Sequence, residues 1–583
     1  TSKEYVHDKC PRNPYVNAHS IDGPIEAENF SDCDGRCLIQ LGCRGPSTKS
    51  RCNGCWNILA PPSNPDPVDR WQNNWCIGVN APCHGCVEKT FPGPESFYEP
   101  YVPPAEASRT RRERRPPMPV FAIAVDPVTR IEGHLKVDIE ADTVGGVQQI
   151  TQVKTVGTLF RGFEKLMEGR DPRDAPIITS RLCGVCPTSH AQVAAMALDQ
   201  AAGVTVPTSG RLLRNLVHAS CYLESHILHF YLLSLPDYIK GPGMPPWTPG
   251  FEMDRRVDQA TADLFLGHYL EAINLRRKCH EMGALFGGKL PHPPAYIAGG
   301  FTAVPSAANL ATFAADLDGI LDFIETRYLP DAERLASLYS EYFLIGRGYG
   351  NLLSYGVFEL DNAGSTKLFP AGRVANGGAV QAIDAAAITE DATHAWDTNA
   401  SHNQHPSPGD TVPQYPKDGG YSWLKAPRYG GTPYECGPLA RMWCKGEYTN
   451  GISVMDRIRA RAYEARLLAT EMKNWLAGVV VDGAVYEPWT NPVEASAAGM
   501  TEAPRGALGH WIGIAGGKIS HYQVITPTCW TISPRDGAGQ LGPLEQALMG
   551  TPIADVNHPV EALRVIHSVD PCLDCATHVV KAK

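Results

Sequence analysis

Two short cysteine motifs constrain this chain more than any other feature. They read Arg181-Leu182-Cys183-Gly184-Val185-Cys186-Pro187-Thr188-Ser189-His190 and Asp570-Pro571-Cys572-Leu573-Asp574-Cys575-Ala576-Thr577-His578. Each is a Cys-x-x-Cys with a histidine a few residues downstream, and the two lie far apart in the chain. Brought together, four thiolates form a soft-ligand cage that selects a soft or borderline transition metal over magnesium or calcium. A structural zinc site is the plainest use of four cysteines, and spacing alone leaves it open. Pro187 suits the first position of a helix, so the first motif should open a helix that begins at the metal.

The flanks narrow the choice. The two motifs resemble the paired cysteine motifs of nickel-iron hydrogenase large (catalytic) subunits, and the resemblance extends over residues 119–578. It includes Asp126-Pro127-Val128-Thr129-Arg130-Ile131-Glu132-Gly133-His134, then Phe160-Arg161-Gly162-Phe163-Glu164 with Arg170-Asp171-Pro172-Arg173-Asp174, and then Ala503-Pro504-Arg505-Gly506-Ala507-Leu508-Gly509-His510. It implies reversible oxidation of H2 to protons and electrons. By residue, Cys183 and Cys572 would bind nickel terminally, and Cys186 and Cys575 would bridge it to an iron carrying CO and cyanide. A hydrogen-sensing regulatory protein, signalling to a partner, would keep the same site and is the alternative. A quinone-reducing relative of respiratory complex I is disfavoured, because those relatives have lost the metal-binding cysteines.

Heterolytic cleavage of H2 needs a base within reach of the metal and a route that carries the proton away. Terminal Cys572 is the expected first acceptor, and Glu132 matches the family's proton-relay glutamate. Arg505 matches an arginine poised over the iron, where a fixed cation orients a ligand. His190 would donate a hydrogen bond to a bridging sulfur and tune its basicity. The plainer readings are a solvated strand carboxylate for Glu132 and a satisfied core histidine for His190. Glu164 and His578 match a magnesium site that a backbone carbonyl at Val524 would complete. At Ser225-His226-Ile227-Leu228-His229-Phe230 the chain departs from the family, which commonly has Asp first. A hydroxyl cannot replace the carboxylate that pairs with the arginine, so the anchoring of Arg505 falls to Asp570 or a water.

Nine of the 18 cysteines lie in the first 115 residues, a density that in a reducing compartment argues for metal binding before disulfides. This segment resembles the C-terminal iron-sulfur part of a hydrogenase small subunit. The resemblance implies a distal 4Fe-4S cluster on His7, Cys10, Cys37 and Cys43, and a medial 4Fe-4S cluster on Cys52, Cys76, Cys83 and Cys86. Cys33 and Cys55 are left over as alternative ligands, and a zinc ribbon is the competing reading. The N-terminal half of a small subunit, with the proximal cluster, is not recognisable. Another polypeptide is therefore expected to supply it in a hetero-oligomer, unless the chain is truncated, with electrons passing to an unidentified carrier.

The expected organisation is an iron-sulfur segment over residues 1–102, a Pro/Arg-rich linker over 103–118 and a catalytic domain over 119–583. At 583 residues and 43% hydrophobic the chain can bury a large core. A net charge of −10 leaves no electrostatic footprint for nucleic acid, and the basic run Arg109–Arg115 between prolines reads as exposed linker. No transmembrane segment is expected: the most apolar stretch, Tyr222–Leu235, is broken by Glu224, His226 and His229. The compartment stays open, with cytoplasmic or peripheral placement favoured over periplasmic.

The fold class expected is α+β, a mostly helical large domain with a strand-rich opening plus a small loop-rich iron-sulfur domain. Alternation over Val120–Val125 and His134–Ile139 predicts strands. Apolar spacing of three and four predicts helices over Ser209–Leu235, Val257–Phe286, Ala307–Tyr342 and Gly451–Ala477. The stretch Asp391–Tyr434 reads as an irregular surface excursion. Large subunits of this family usually lose a C-terminal extension just after the final histidine, so the mature active protein is expected to end at His578, without Val579–Lys583.

Overall fold

The computed structural model describes residues 120–248, 250 and 253–576, without the side chains of Cys575 and Ala576. The cluster-ligand candidates from His7 to Cys86, and His578, lie outside the described residues. The described part contains both helices and antiparallel sheets, an α+β arrangement.

Alternating apolar residues build the opening sheet, β1 (Phe121–Val125), β2 (Leu135–Val144) and β3 (Val147–Gly157), with Phe121 opposite Ala141 and Leu135 opposite Gly157. β2 buries Leu135, Val137, Ile139 and Ala141 and leaves the residues between them half-buried, the period of two expected of a sheet with one face on the core. After the short helix α1 (Phe163–Met167), α2 (Pro187–Ala202) begins with Cys186 as its N-cap and Pro187 inside its first turn, as the sequence predicts.

Helix α3 (Thr208–Leu228) is buried from Leu212 to its end. Its polar residues must therefore find partners inside the protein. Arg214 pairs with Asp199 at 2.6 Å, Glu224 receives Arg276 at 2.7 Å, and His226 meets Glu464 at 2.8 Å. Beyond it come α4 (Gln259–Gly287), α5 (Ala307–Phe323) and α6 (Leu329–Leu338). Two of the long helices predicted from periodicity are not continuous. The Ser209–Leu235 pattern changes to a π-helical turn at His229–Ser234, and the Ala307–Tyr342 pattern does so at Ile324–Tyr328 before ending in a 3-10 turn. Each wide turn ends two residues before a proline, Pro236 or Pro330. Proline has no N–H to give the preceding turn and clashes with the carbonyl four residues back, and a wider turn absorbs the misfit. A three-to-four apolar spacing does not register this change.

Strands β4 (Ile388–Asp391) and β5 (Ala426–Tyr429) pair antiparallel and bracket a long connection. That connection is not a surface excursion, contrary to the expectation. It buries Asp397, Ser401, Thr411, Ser422 and Lys425, whose polar side chains concealed its burial. Helices α7 (Pro438–Lys445) and α8 (Val454–Gly478) follow. Then comes a second antiparallel sheet, β6 (Ala495–Ala503), β7 (Gly506–Ala515) and β8 (Lys518–Ile525). Helix α2 lies so close to β6 that a Cβ on Gly499 would sit 2.1 Å from the carbonyl oxygen of Val193. Finally α9 (Val560–Ser568) and the single turn α10 (Leu573–Ala576) carry the second cysteine motif inward.

The loop from β1 to β2 is tied to this last segment. Glu132 N–H donates to Pro571 O at 3.2 Å and Leu573 N–H donates to Glu132 O at 2.7 Å, a parallel bridge of Glu132 with Cys572. Gly133, at φ +82°, makes the approach possible, since a Cβ there would lie 2.4 Å from Asp574 N. Gly133→Ala should therefore lower stability by more than the ~1–3 kcal/mol of a strained backbone alone. Gly145→Ala, at φ +62° with nothing within 4 Å of its Cβ, supplies the strain-only comparison. Thermal unfolding of the two variants checks this, and equal losses would contradict it.

Candidate metal centre

Three cysteines from the two motifs converge. Cys183, Cys186 and Cys572 are each 1% exposed, and their sulfurs all lie within 4.8 Å of one another. Cys183 Sγ and Cys572 Sγ are 3.3 Å apart. The Cys575 side chain lies outside the described residues, but its position in α10 follows Cys572 by one turn. The N–H groups of Val185 and Cys186 donate to Cys183 Sγ at 3.3 and 3.0 Å, and α2 begins at Cys186. Both features favour thiolate over thiol, through hydrogen bonds to the charged form and through the positive end of a helix. Backbone on the other side is fixed by Cys572 N–H donating to Thr528 Oγ1 at 3.1 Å. Among the described residues the cage offers sulfur donors alone, which suits a soft or borderline metal such as nickel, iron or zinc, and not magnesium.

Arg161 joins the two motifs. Its Nη2 donates to the carbonyl oxygens of both Leu182 and Asp574, and its Nη1 donates to Arg181 O at 3.3 Å. It stands in a stretch that resembles the family, yet nothing in the sequence assigns it this role. The only signal is an arginine next to Gly162, too common a pair to point to three carbonyls.

Glu132 is set against this cage. Gly184 N–H donates to its Oε1 at 3.1 Å. Burial pushes its pKa up to about 7, assisted by Cys183 and Asp574 and opposed by Arg505 and the Gly184 N–H. It is not the solvated carboxylate of the plainer reading. Arg505 is 3% exposed and faces Asp570 with Nε to Oδ1 at 3.0 Å. Burial works against its charge, but Asp570, Cys572, Cys186 and Cys183 together hold its pKa well above the usual range. With a serine at position 225, the carboxylate that meets Arg505 is thus Asp570.

His190 is fully buried and neutral: burial, with a smaller contribution from Arg161, pulls its pKa down to about 4 against the pull of Cys183. Its Nδ1 shares a 3.1 Å hydrogen bond with His510 Nε2, and His510 Nδ1 meets Tyr522 Oη at 2.8 Å. This chain orients the ring, and Nε2 has no hydrogen-bond partner among the described residues. The expected bond from His190 to a bridging sulfur is therefore not made to Cys186.

Glu164 sits apart, 2% exposed. Its Oε1 accepts from Val524 N–H at 2.9 Å and its Oε2 from the Thr411 hydroxyl. So Val524 meets Glu164 through its N–H, whereas the expected metal contact was its carbonyl. Around them Lys425 donates to Glu390 at 2.7 Å and to Gln523 at 3.1 Å, a buried polar nucleus that the sequence pattern conceals because it comes from the 391–434 connection and its border strands.

The comparisons fit this geometry. The family model described as "Nickel-dependent hydrogenase" matches residues 161–241, 246–452 and 445–578, and one described as "HoxL-like" matches 122–151. Residues 3–99 match the family model for the C-terminal part of the NiFe/NiFeSe hydrogenase small subunit. The periplasmic [NiFeSe] hydrogenase large subunit of Desulfomicrobium baculatum is 40% identical over 79% of this chain and 95% of its own length. The hydrogenase-1 large chain of Escherichia coli is 34% identical with the same coverage. A structure of the Ni-Fe-Se hydrogenase from D. vulgaris Hildenborough superposes with a TM-score of 0.76 at 38% identity, covering 79% of this chain and 100% of that one.

The fold and its sulfur cage thus define a hydrogen-metabolising metalloenzyme. The chain belongs to the nickel-dependent hydrogenases. It is an H2:acceptor oxidoreductase that oxidises H2 to protons and electrons, reversibly, at a nickel-iron centre. A purely regulatory role is not favoured by these relatives.

In the metal-free protein, difference infrared titration should show a carboxyl group with a midpoint near 7 that disappears in Glu132→Gln. Cys183→Ala should move that midpoint down and Arg505→Gln should move it up, because the thiolate raises and the guanidinium lowers it. Shifts of the opposite sign would contradict the placement of these charges.

Proposed function

We propose that Cys183 and Cys572 bind nickel terminally, and that Cys186 and Cys575 bridge it to an iron with CO and cyanide ligands. The observation that carries this reading is the 3.3 Å contact between Cys183 and Cys572, which brings motifs from the two ends of the catalytic domain to one buried point. When bound, the nickel-iron centre supplies the Lewis acidity that polarises H2 for heterolytic cleavage.

The chain's own residues then manage protons. Cys572 Sγ takes the proton, and Glu132 accepts it next, held beside Cys572 by the parallel bridge. A carboxyl pKa of about 7 matches neutral pH, where a relay group both takes and releases a proton readily. Arg505 would fix ligands on the iron by charge, and His190, neutral and oriented through His510, would aim Nε2 toward the cage. Glu164, the Val524 carbonyl and His578 would hold magnesium. Glu164 fits this as a buried carboxylate, an oxygen donor of the kind magnesium prefers.

For electron exit, His7, Cys10, Cys37 and Cys43 would ligate a distal 4Fe-4S cluster, and Cys52, Cys76, Cys83 and Cys86 a medial one. The small-subunit match over residues 3–99 supports this assignment. The carrier beyond the clusters is unidentified. No helix among the described residues is long and apolar enough to cross a membrane, and the name of the D. baculatum relative supports the periplasmic option.

Two variants test the assignments. Cys575→Ser should lose both metals, because one thiolate attaches both; retention of nickel and iron one-to-one with wild-type H2 uptake would show the bridging role to be wrong. Glu132→Gln should keep both metals while H2 turnover falls by about 100-fold or more. Unchanged turnover would move the relay elsewhere.

A further inference from the structure

Cys221, Ser225 and His229 follow one another at helical spacing along α3 and into the π turn, so they share a face. Cys221 and His229 both lie within electrostatic reach of Arg505, and Ser225 stands between them on the same helix face. From the other side come Arg461 of α8 and Tyr328 of the second π turn, each within electrostatic reach of Asp570. All six residues Ser225, His229, Tyr328, Arg461, Arg505 and Asp570 are 3% exposed or less.

Their polar atoms are left over together. Ser225 Oγ, His229 Nδ1, Tyr328 Oη, Arg461 Nε, both Asp570 carboxylate oxygens and all three Arg505 side-chain nitrogens have no hydrogen-bond partner among the described residues. The 3.0 Å approach of Arg505 to Asp570 is therefore a charge contact without hydrogen-bond alignment. A buried polar atom without a partner costs about 1–3 kcal/mol, and native proteins hold few of them. Such a convergence calls for a ligand that donates to the carboxylate and accepts from the guanidinium groups.

Charge identifies the ligand. Among the described residues Arg461 has no carboxylate within ion-pair distance, whereas Arg441 has two, Glu464 at 2.6 Å and Glu502 at 2.9 Å, and Glu464 is also within electrostatic reach of Arg461. Counting Arg505 with Asp570, the three arginines are balanced by three carboxylates, so a buried anion would add uncompensated charge. Water is neutral and both donates and accepts. We propose that this face is a built site for ordered water, which links Ser225, Tyr328 and Arg461 to the Arg505–Asp570 pair and positions the Arg505 guanidinium. Ser225 is then a positioning residue: its short hydroxyl leaves the space for water, where a carboxylate would bond to the arginines directly. The consequence for the metal centre rests on the nickel-iron reading above; the water site does not.

The test is a high-resolution crystal structure of the metal-loaded enzyme and of its Ser225→Asp variant, with infrared spectra of both. Wild type should show at least two water peaks, each within hydrogen-bond distance of three of the atoms named. Ser225→Asp should place its carboxylate on Arg505 or Arg461, displace a water and shift the infrared bands of the iron-bound ligands at unchanged nickel and iron content. Ser225→Ala should keep the other waters. Side chains closing directly on one another in wild type, an anion revealed by anomalous scattering, or a Ser225→Asp protein with the same waters and bands would overturn the proposal. Waters in place without CO or cyanide bands would support the site while removing the nickel-iron reading.

Discussion

The structure depends on one short stretch of parallel backbone pairing. Glu132 exchanges two hydrogen bonds with Pro571 and Leu573, joining the loop after β1 to the segment that carries the second cysteine motif. That pairing holds Cys572 against Cys183 and sets the Glu132 carboxylate beside both. Arg161 reinforces it from the other side by donating to carbonyls of both cysteine motifs. Guanidinium bonds to buried carbonyls are charge-assisted and directional, so one residue fixes the separation of two loops that are distant in sequence. Neither α2 nor α10 could form a metal cage without this closure.

Around the cage, burial and charge oppose each other. Packing thiolates into a site 1% exposed is unfavourable unless cations or dipoles compensate. The N-terminus of α2, two N–H groups on Cys183 and the Arg505 guanidinium provide that compensation. Glu132 sits at the balance point, raised by burial and the thiolate and lowered by the arginine. The same competition leaves His190 neutral, because among the described residues no carboxylate meets its ring and burial dominates.

What the sequence made legible was what local chemistry determines. Pro187 after Cys186 marked the start of α2, alternation marked β1 and β2, and the missing carboxylate at Ser225 pointed to Asp570 or a water as the partner of Arg505. Less legible was what depends on tertiary context. The π turns at His229–Ser234 and Ile324–Tyr328 keep an apolar spacing close to that of an α-helix, and only the prolines after them hint at a change. The 391–434 connection looked like surface because it is rich in polar residues, yet Lys425, Asp397 and Thr411 are buried, with Lys425 donating to Glu390 and Thr411 to Glu164. Arg161 was visible as a residue but not as a clasp, since its acceptors are backbone atoms that any residue supplies.

The central claim is that both cysteine motifs bind one nickel-iron centre. Nickel-edge X-ray absorption of the purified, metal-loaded protein tests it most directly. The account predicts nickel surrounded by sulfur donors, with an iron neighbour as a further scatterer. Nickel bound through nitrogen and oxygen, or zinc in its place without an iron neighbour, would contradict it.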